Sequence, residues 1–301
     1  MFGCIQFAKD LEMHNPLTQK YSEEENKELV RKSLSGDRKA LDQLVRLHQP
    51  FIYNVAWKMS WEPDDALDLT QEVLIKVITK LSQFNFESQF HTWLYRIVVN
   101  EFLMTKRRKG ESQFTTLEDH GNRLDAVPDT DLTIEEEMEL KELTQEVQFR
   151  CLSGMLMCLT REQRLIFILG DTFGIDHNIG AEIFNISKEN FRVKLHRARK
   201  ELCNFMDNKC GLINPENPCR CAKKSKYFHK KGLLTEDKKT FNVGYKAKML
   251  DFASENYKAS TEAVYQKHSD FFRNHPAKDQ FDADTVIEEI LNDENLMHYF
   301  Q

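Results

Sequence analysis

The amino-acid sequence predicts an all-α protein. From Glu23 onward, apolar residues such as Leu41, Leu44 and Val45 recur at the three- and four-residue spacing of helices that bury one face. Residues that end or cap helices separate these patterns, for example in the stretch Ser35-Gly36-Asp37. No fixed-period repeat is present, which argues against a solenoid. A chain of 301 residues can bury a sizeable core, and this length indicates about two domains.

Charge is distributed unevenly along the chain. The formal net charge is −6, but the segment from Glu111 to Glu146 holds twelve acidic and two basic residues. Its local charge of −10 leaves the remainder at +4, so the acidic total does not exclude a nucleic-acid partner. Up to about Thr133 this segment shows no sustained period and contains Gly121 and Pro128, which is typical of a linker.

The sequence also indicates a compartment. No stretch approaches the roughly 18 apolar residues of a membrane span, and Met1 to Asp10 lacks the charged head and apolar run of a signal peptide. Seven cysteines, an odd number, fit a reducing compartment better than a disulfide framework. We therefore expect a cytoplasmic protein with no membrane partner.

The stretch from Ile186 to Leu202 is predicted to be a cationic helix with one apolar stripe. The stripe consists of Phe191, Leu195, Ala198 and Leu202, at four-three-four spacing. The remaining surface is crowded by basic residues, namely Lys188, Arg192, Lys194, Arg197, Arg199 and Lys200. Glu189, Arg192, Val193 and His196 point away from the stripe and can enter a major groove, whereas Lys194, Arg197 and Arg199 flank them and can reach phosphates.

A second short helical pattern, Asn178 to Phe184, precedes this helix. Asn185 suits the left-handed backbone of a tight turn, and Ser187 is placed to cap the following helix. Helix, tight turn and basic helix form a helix-turn-helix arrangement. A solvated amphipathic helix without DNA contacts is the alternative.

An acidic patch, which includes one amide side chain, is expected on the helix from Asp68 to Leu81. Asp68, Gln71 and Glu72 fall together at i, i+3 and i+4, opposite an apolar side. Such a patch on a rigid helix can hold a partner, and a merely solvated face is the alternative.

Aromatic and basic residues alternate with polar ones from Phe84 to Lys109. Aromatic rings can stack on unpaired bases and the basic run Lys106 to Lys109 can hold phosphates, so the segment suits single-stranded DNA. Turn composition predicts that Phe86 is exposed, whereas for Phe90 and Trp93 a place in the core is the competing interpretation.

These segments resemble the small sigma-70-type factors of the extracytoplasmic-function group. Ala181 to Leu202 is similar to their promoter-reading helix-turn-helix, including the characteristic Arg197-Ala198-Arg199, although Asn185 stands where glycine is usual. Asp68 to Val73 looks like the signature that grips the clamp helices of RNA polymerase, and Trp93 to Asn100 matches the family's W-L-Y-R-I-x-x-N run. The resemblance covers about Ser22 to Met206.

The resemblance assigns expected roles to these residues. Contact with RNA polymerase core falls to Asp68, Gln71 and Glu72. Contact with the minus-ten element falls to Asn85, Phe86, Ser88, Gln89, Trp93, Arg96, Lys106, Arg107 and Arg108. Contact with the minus-thirty-five element falls to Lys188, Glu189, Arg192, Val193, Lys194, His196, Arg197 and Arg199. Promoter DNA and polymerase core are thus the expected partners, and a separate anti-sigma factor is an open expectation.

Cysteines cluster after the predicted helix-turn-helix. Cys210, Cys219 and Cys221 lie in a turn-rich segment, and with Cys203 or His229 as fourth ligand they can complete a tetrahedral zinc site. The spacing is not a Cys-x-x-Cys pair, so redox-responsive thiols and unpaired structural cysteines are the alternatives.

The whole sequence therefore predicts two helical DNA-binding domains joined by an acidic linker and followed by a helical extension. The expected divisions are a leader at 1–22, a polymerase and minus-ten domain at 23–110, a linker at 111–133, a helix-turn-helix domain at 134–206 and a cysteine-containing extension at 207–301. Further helices are expected at Val243 to Asn274 and from Thr285 to Leu296.

The predicted function is that of a sigma factor, which binds polymerase core and directs promoter recognition, melting and transcription initiation. The alternative is a helix-turn-helix regulator that does not bind core. No glycine-rich phosphate loop and no nucleophile in a motif context is found, so we expect no enzyme activity and no required cofactor beyond a structural zinc. A zinc or redox enzyme in the tail is a minor third interpretation.

Overall fold

The structure is a computed structural model that describes residues 22–60, 63–105 and 116–234. The regular elements of these residues are helical, which confirms the all-α class. They are α1 (Glu23–Leu34), α2 (Arg38–Met59), α3 (Pro63–Lys80), α4 (Phe90–Met104), α5 (Leu117–Asp125), α6 (Ile134–Glu139), α7 (Lys141–Cys158), α8 (Arg161–Phe167), α9 (His177–Phe184), α10 (Lys188–Lys209) and α11 (Cys221–Lys230), with a π-helical turn at Ile168–Thr172. Within the same residues, no helix is long and apolar enough to span a membrane.

Local capping sets the boundaries of the first helices. The Ser22 hydroxyl accepts a hydrogen bond from the Glu25 N–H, and the Glu25 carboxylate accepts one from the Ser22 N–H, which is a capping box. Gly36 has a φ of 92° in the turn after α1, and Asp37 accepts hydrogen bonds from the first turn of α2. Since these signals lie within a few residues of each other, the predicted helix break at 35–37 is confirmed.

A single hydrophobic core joins α2–α4 to α8–α10. Ile52 and Phe90 from the first group and Ile166 and Phe191 from the second are all 0% exposed and belong to the same cluster. Helix α4 packs against both α8 and α9. The two blocks recognised in the sequence therefore form one packed body in this arrangement.

A fully buried arginine holds the junction between these two groups. The guanidinium of Arg164 donates hydrogen bonds to the carbonyls of Met59 (2.7 Å), Leu156 (2.9 Å), Met157 (3.0 Å) and Leu159 (3.3 Å). The last carbonyls of a helix lack intrahelical partners and lie at the negative end of its dipole. Arg164 thus supplies hydrogen-bond donors to the carbonyls at the end of α7 and links them to the carbonyl at the end of α2.

The segment predicted to be an irregular linker contains a helix. In α5, the Thr116 hydroxyl caps the first turn by accepting a hydrogen bond from the Asp119 N–H. The helix packs against α7 and α10, where Gly121 lies beside the Phe205 ring. Because capping and tertiary packing stabilise this short helix, an apolar period was not needed to form it.

The extension begins with α11, which packs on α7. Leu143 and Val147 of α7 form a small buried cluster with Leu234, and the hydroxyls of Thr144 and Ser225 hydrogen-bond at 2.8 Å. The predicted leader up to residue 21 and the helices expected beyond residue 242 lie outside the described residues.

Candidate nucleic-acid and polymerase interfaces

The helix-turn-helix has the geometry that the sequence predicts. Asn185 ends α9 in the left-handed conformation, with φ 52° and ψ 48°, and the Ser187 hydroxyl caps α10 by accepting a hydrogen bond from the Asn190 N–H. Gly180 allows α9 and α10 to approach closely, since a Cβ at this position would lie 2.5 Å from the Phe191 ring. The turn therefore fixes the angle at which α10 leaves the body.

Helix α10 separates a buried stripe from an exposed face. Phe191, Leu195, Ala198 and Leu202 are all buried, as predicted. The opposite face exposes Lys188, Glu189, Arg192, Val193, His196 and Arg197. Val193 is 45% exposed, so one aliphatic side chain belongs to this face. An exposed face of arginine, histidine and one aliphatic group has the shape and chemistry to read base edges in a major groove.

Two of the predicted phosphate-binding cations are engaged within the protein. Lys194 donates to the carboxylate of Glu162 at 2.8 Å, and Arg199 donates to Asp171 at 2.5 Å. The Asp171 side chain is 6% exposed, so this carboxylate depends on its cation. Arg199 consequently has a structural role in addition to the phosphate contact predicted for it.

The acidic patch lies on the outer side of α3. Asp68 is exposed and Gln71 and Glu72 are half-buried, whereas Leu69 and Val73 face the core and are 0% exposed. The structure thus brings the three polar residues to one surface, on a helix anchored by its apolar side.

The loop before α4 is more closely packed than its composition indicates. Phe86, which we expected to be exposed, is half-buried with its ring 4.8 Å from that of Phe84, and the Arg31 guanidinium lies 5.1 Å from its centroid. Its φ of 62° is rare for a bulky residue and costs conformational energy. The contacts with Phe84 and Arg31 explain why this conformation persists.

The other residues assigned to the minus-ten element are distributed around this loop. Asn85 and Gln89 are exposed and Ser88 is half-buried. Trp93 is half-buried against Phe84 and Phe90, with centroid distances of 5.5 Å, which supports its competing role in packing. Arg96 is exposed and lies 3.2 Å from Glu182 of α9. The basic residues Lys106, Arg107 and Arg108 lie outside the described residues.

Four cysteines lie near one another beside α11, namely Cys210, Cys219, Cys221 and Cys151, of which the sequence did not indicate Cys151. Cys219 accepts a hydrogen bond from the Cys221 thiol, which, with the Lys224 ammonium, lowers the pKa of Cys219 to about 7 despite its partial burial. Burial raises the pKa values of Cys210 and Cys151. Cys151 reaches this cluster from α7 and was missed because it lies some 60 positions away; no local spacing could have indicated it.

The predicted fourth zinc ligands lie on two different helices. His229 is exposed near the end of α11, and Cys203 is half-buried on α10. Within the residues that the structure describes, no group of three or more His, Cys, Asp or Glu side chains is arranged to hold a metal ion. The zinc site therefore stays a prediction.

A lysine clasp holds the acidic linker onto α11. Lys224 donates to the carbonyls of Leu124 (2.7 Å) and Val127 (3.1 Å), and Lys226 donates to the Asp131 carbonyl (2.6 Å) and the Glu136 carboxylate (2.5 Å). Both lysine side chains are almost fully buried, at 5% and 10% exposure. Buried ammonium groups need partners, so the linker and α11 order one another.

Comparisons with known proteins place these elements in a family. Residues 44–111, which contain α3 and α4, match Sigma-70 region 2, and residues 149–202, which contain the helix-turn-helix, match Sigma-70 region 4. The ECF RNA polymerase sigma factor SigE of Mycolicibacterium smegmatis is 32% identical over 177 residues. Both matched segments are regions of the sigma-70 family, and the relatives are named as factors of its extracytoplasmic-function group. The alignment with SigE covers 57% of this chain and 65% of the relative's length.

Other similar proteins carry related names. The ECF RNA polymerase sigma-E factor of Escherichia coli is 27% identical over 58% of this chain and 91% of its own. A structure of CnrH in complex with the cytosolic domain of CnrY is 19% identical, with a TM-score of 0.41, over 61% of this chain and 97% of that one. Residues beyond Leu202, including α11 and three of the four clustered cysteines, lie outside both family matches.

Proposed function

We propose that this chain is a sigma-70 family member that binds RNA polymerase core and directs promoter recognition, promoter melting and transcription initiation. The observation that carries the proposal is the pairing, in one chain, of an exposed helix-turn-helix face on α10 with an anchored acidic patch on α3. Each lies within the segment that matches the corresponding sigma-70 region. The chemistry of RNA synthesis belongs to the polymerase, so the chain acts as a binding subunit.

Promoter reading requires the packed body to open. The minus-ten and minus-thirty-five elements lie about 25 base pairs apart, which is about 85 Å along a duplex. A compact body of about 200 residues has a radius of gyration of only about 16 Å. While α4 packs against α8 and α9, the two DNA-binding surfaces therefore cannot occupy both elements at once. We propose that the junction around Arg164 separates when core and promoter bind.

Transcription by purified components tests the function. Core polymerase supplemented with this protein should start transcripts at a specific set of promoters, whereas core alone should not. The alternative is a helix-turn-helix regulator that never touches core. That protein would bind DNA by itself and would neither comigrate with core nor change its start sites.

Two arginines on α10 test how the helix meets DNA. Arg192 is exposed on the groove-reading face, so Arg192→Ala should cost roughly 1–3 kcal/mol at one base position. Arg199→Ala should weaken binding to all sequences alike and reduce the salt dependence; because it also removes a salt bridge to the buried Asp171, the melting temperature should fall as well. Equal losses from both variants on specific and random duplexes would contradict this orientation of α10.

A further inference from the structure

The strongest feature that the sigma-factor function does not use is the thiol cluster beside α11. Cys210 follows α10, Cys219 and Cys221 lead into α11, and Cys151 reaches them from α7. None of the described cysteines is in a disulfide. We propose that Cys210 and Cys219 form a reversible disulfide when a peroxide oxidises them, and that this bond links the two ends of the turn between α10 and α11.

The backbone already pairs these two cysteines. They pair as a parallel bridge, in which the Gly211 N–H donates to the Cys219 carbonyl at 3.2 Å. Paired backbones lie about 4.8 Å apart, within the roughly 4.4–6.8 Å separation of Cα atoms that a disulfide spans. The side chains of directly paired residues project from the same face. The bond therefore needs no large movement of the backbone.

The turn is preorganised by contacts that do not depend on a disulfide. A Cβ at Gly211 would lie 2.3 Å from the Cys219 carbonyl oxygen, so only glycine permits this approach. The Asn217 amide donates to the carbonyls of Asp207 (2.8 Å) and Cys210 (3.1 Å) from a buried position. The backbone of the turn is thus already ordered in the reduced protein.

The chemistry needs only a peroxide and the two thiols. The Cys219 sulfur attacks one oxygen of hydrogen peroxide, the O–O bond breaks, and Cys219 becomes a sulfenic acid. The other oxygen leaves as hydroxide and takes the proton of the Cys219 thiol, which gives water. The Cys210 sulfur then attacks the Cys219 sulfur, its proton goes to the departing hydroxide, and a second water is released. The two thiols lose two electrons and the peroxide gains them. A small-molecule thiol reverses the bond by exchange.

The Cys210–Cys219 disulfide stabilises the contacts that Lys224 and Lys226 make with the linker. Cys219 lies two residues before α11 begins, and the linker is held by Lys224 and Lys226 on that helix. A bond between Cys210 and Cys219 fixes the start of α11 to the end of α10, so local opening of α11 becomes rarer and the linker stays bound. The disulfide itself stands apart from the proposed function; only an effect on transcription would rest on it.

Mass spectrometry of the full chain tests the bond. Reduced protein is treated with hydrogen peroxide, remaining thiols are alkylated, and peptides are mapped. We expect a Cys210–Cys219 linkage that a dithiol reductant removes and that is absent from Cys210→Ser. The matched control is Cys203→Ser, which removes a half-buried thiol of α10 that takes no part in the proposed bond and should leave the linkage intact. Circular dichroism confirms that each variant is folded.

Limited proteolysis tests the consequence for the linker. Cleavage after Glu136 by a glutamate-specific protease should slow several-fold on oxidation in the wild type and in Cys203→Ser, and should not change in Cys210→Ser. Pairing of Cys219 with Cys221 instead, or full alkylation of Cys210 and Cys219 after peroxide, would overturn the disulfide site. Stoichiometric zinc on the reduced protein that blocks oxidation would also overturn it. Unchanged cleavage in verified oxidised protein would overturn the link to the clasp. None of these readouts involves transcription, so they fail independently of the sigma-factor function.

Discussion

Replacing Arg164 by methionine should destabilise the packed body strongly. The variant keeps an unbranched side chain but removes the donors from four carbonyls, three at the end of α7 and one at the end of α2. Hydrogen bonds from a charged donor contribute about 1.5–3 kcal/mol each, but contributions within one network do not add, and loss of one partner of a buried ionic site costs about 3–5 kcal/mol. We therefore expect a loss of about 3–5 kcal/mol, a large share of a typical total of about 5–15 kcal/mol.

Urea denaturation followed by circular dichroism measures this loss, and a thermal melt should show a fall of roughly 10 °C. The matched control is Arg96→Met. Arg96 also crosses from the first helix group to the second, but its pair with Glu182 is exposed and should contribute less than about 1 kcal/mol. If Arg164→Met and Arg96→Met cost the same, or if Arg164→Met costs under about 1 kcal/mol, the buried guanidinium is not what holds the junction.

Three further predictions concern polymerase, melting and pH. Asp68→Lys with Glu72→Lys should abolish binding to core polymerase in a pull-down while leaving binding to isolated DNA intact; unchanged core affinity would remove the patch from the interface. Phe86→Ala with Gln89→Ala should spare closed-complex formation but impair opening, measured by permanganate footprinting, and the defect should shrink on a template already mismatched at the minus-ten element; a defect of equal size there would contradict the role in melting. Lys58→Met should stabilise the protein by about 2–4 kcal/mol at pH 7, because burial lowers the pKa of Lys58 from 10.5 to about 7 and its ammonium makes no hydrogen bond among the described residues. Between pH 7 and pH 10.5 the folded wild-type protein binds fewer protons than the unfolded chain. The stability gained by Lys58→Met should therefore be largest below about pH 7 and should shrink as the pH rises towards 10.5. A stability gain that does not depend on pH would show that removal of the buried charge is not its cause.

The helix-turn-helix could be predicted almost completely because its signals are local. The left-handed Asn185, the cap at Ser187 and the spacing of the buried stripe each involve residues a few positions apart. The same holds for the capping box at Ser22 and the break at Gly36. A helix of fixed period turns such spacing directly into faces, so the buried and exposed sides of α10 follow from the sequence.

The loop before α4 shows where composition misleads. Turn residues predict exposure, but Phe86 is covered by Phe84 and by Arg31 of α1. Arg31 lies 55 positions earlier in the chain, and nothing near the loop indicates that it folds over the ring. The same limitation applies to α5, whose packing against α10 depends on residues some 80 positions away.

The sequence by itself determined the helices other than α5 and α11, the cap at Ser187, the reading face of α10 and the acidic patch of α3, because each depends on residues within one or two turns. Only the tertiary structure decided that Arg164 joins α7 to α2, that Cys151 meets the tail cysteines, and that Lys224 and Lys226 hold the linker. These contacts join residues about 60 to 105 positions apart. Which distant groups meet is set by how the helices pack, and the satisfaction of buried charges and carbonyls then fixes the pairs.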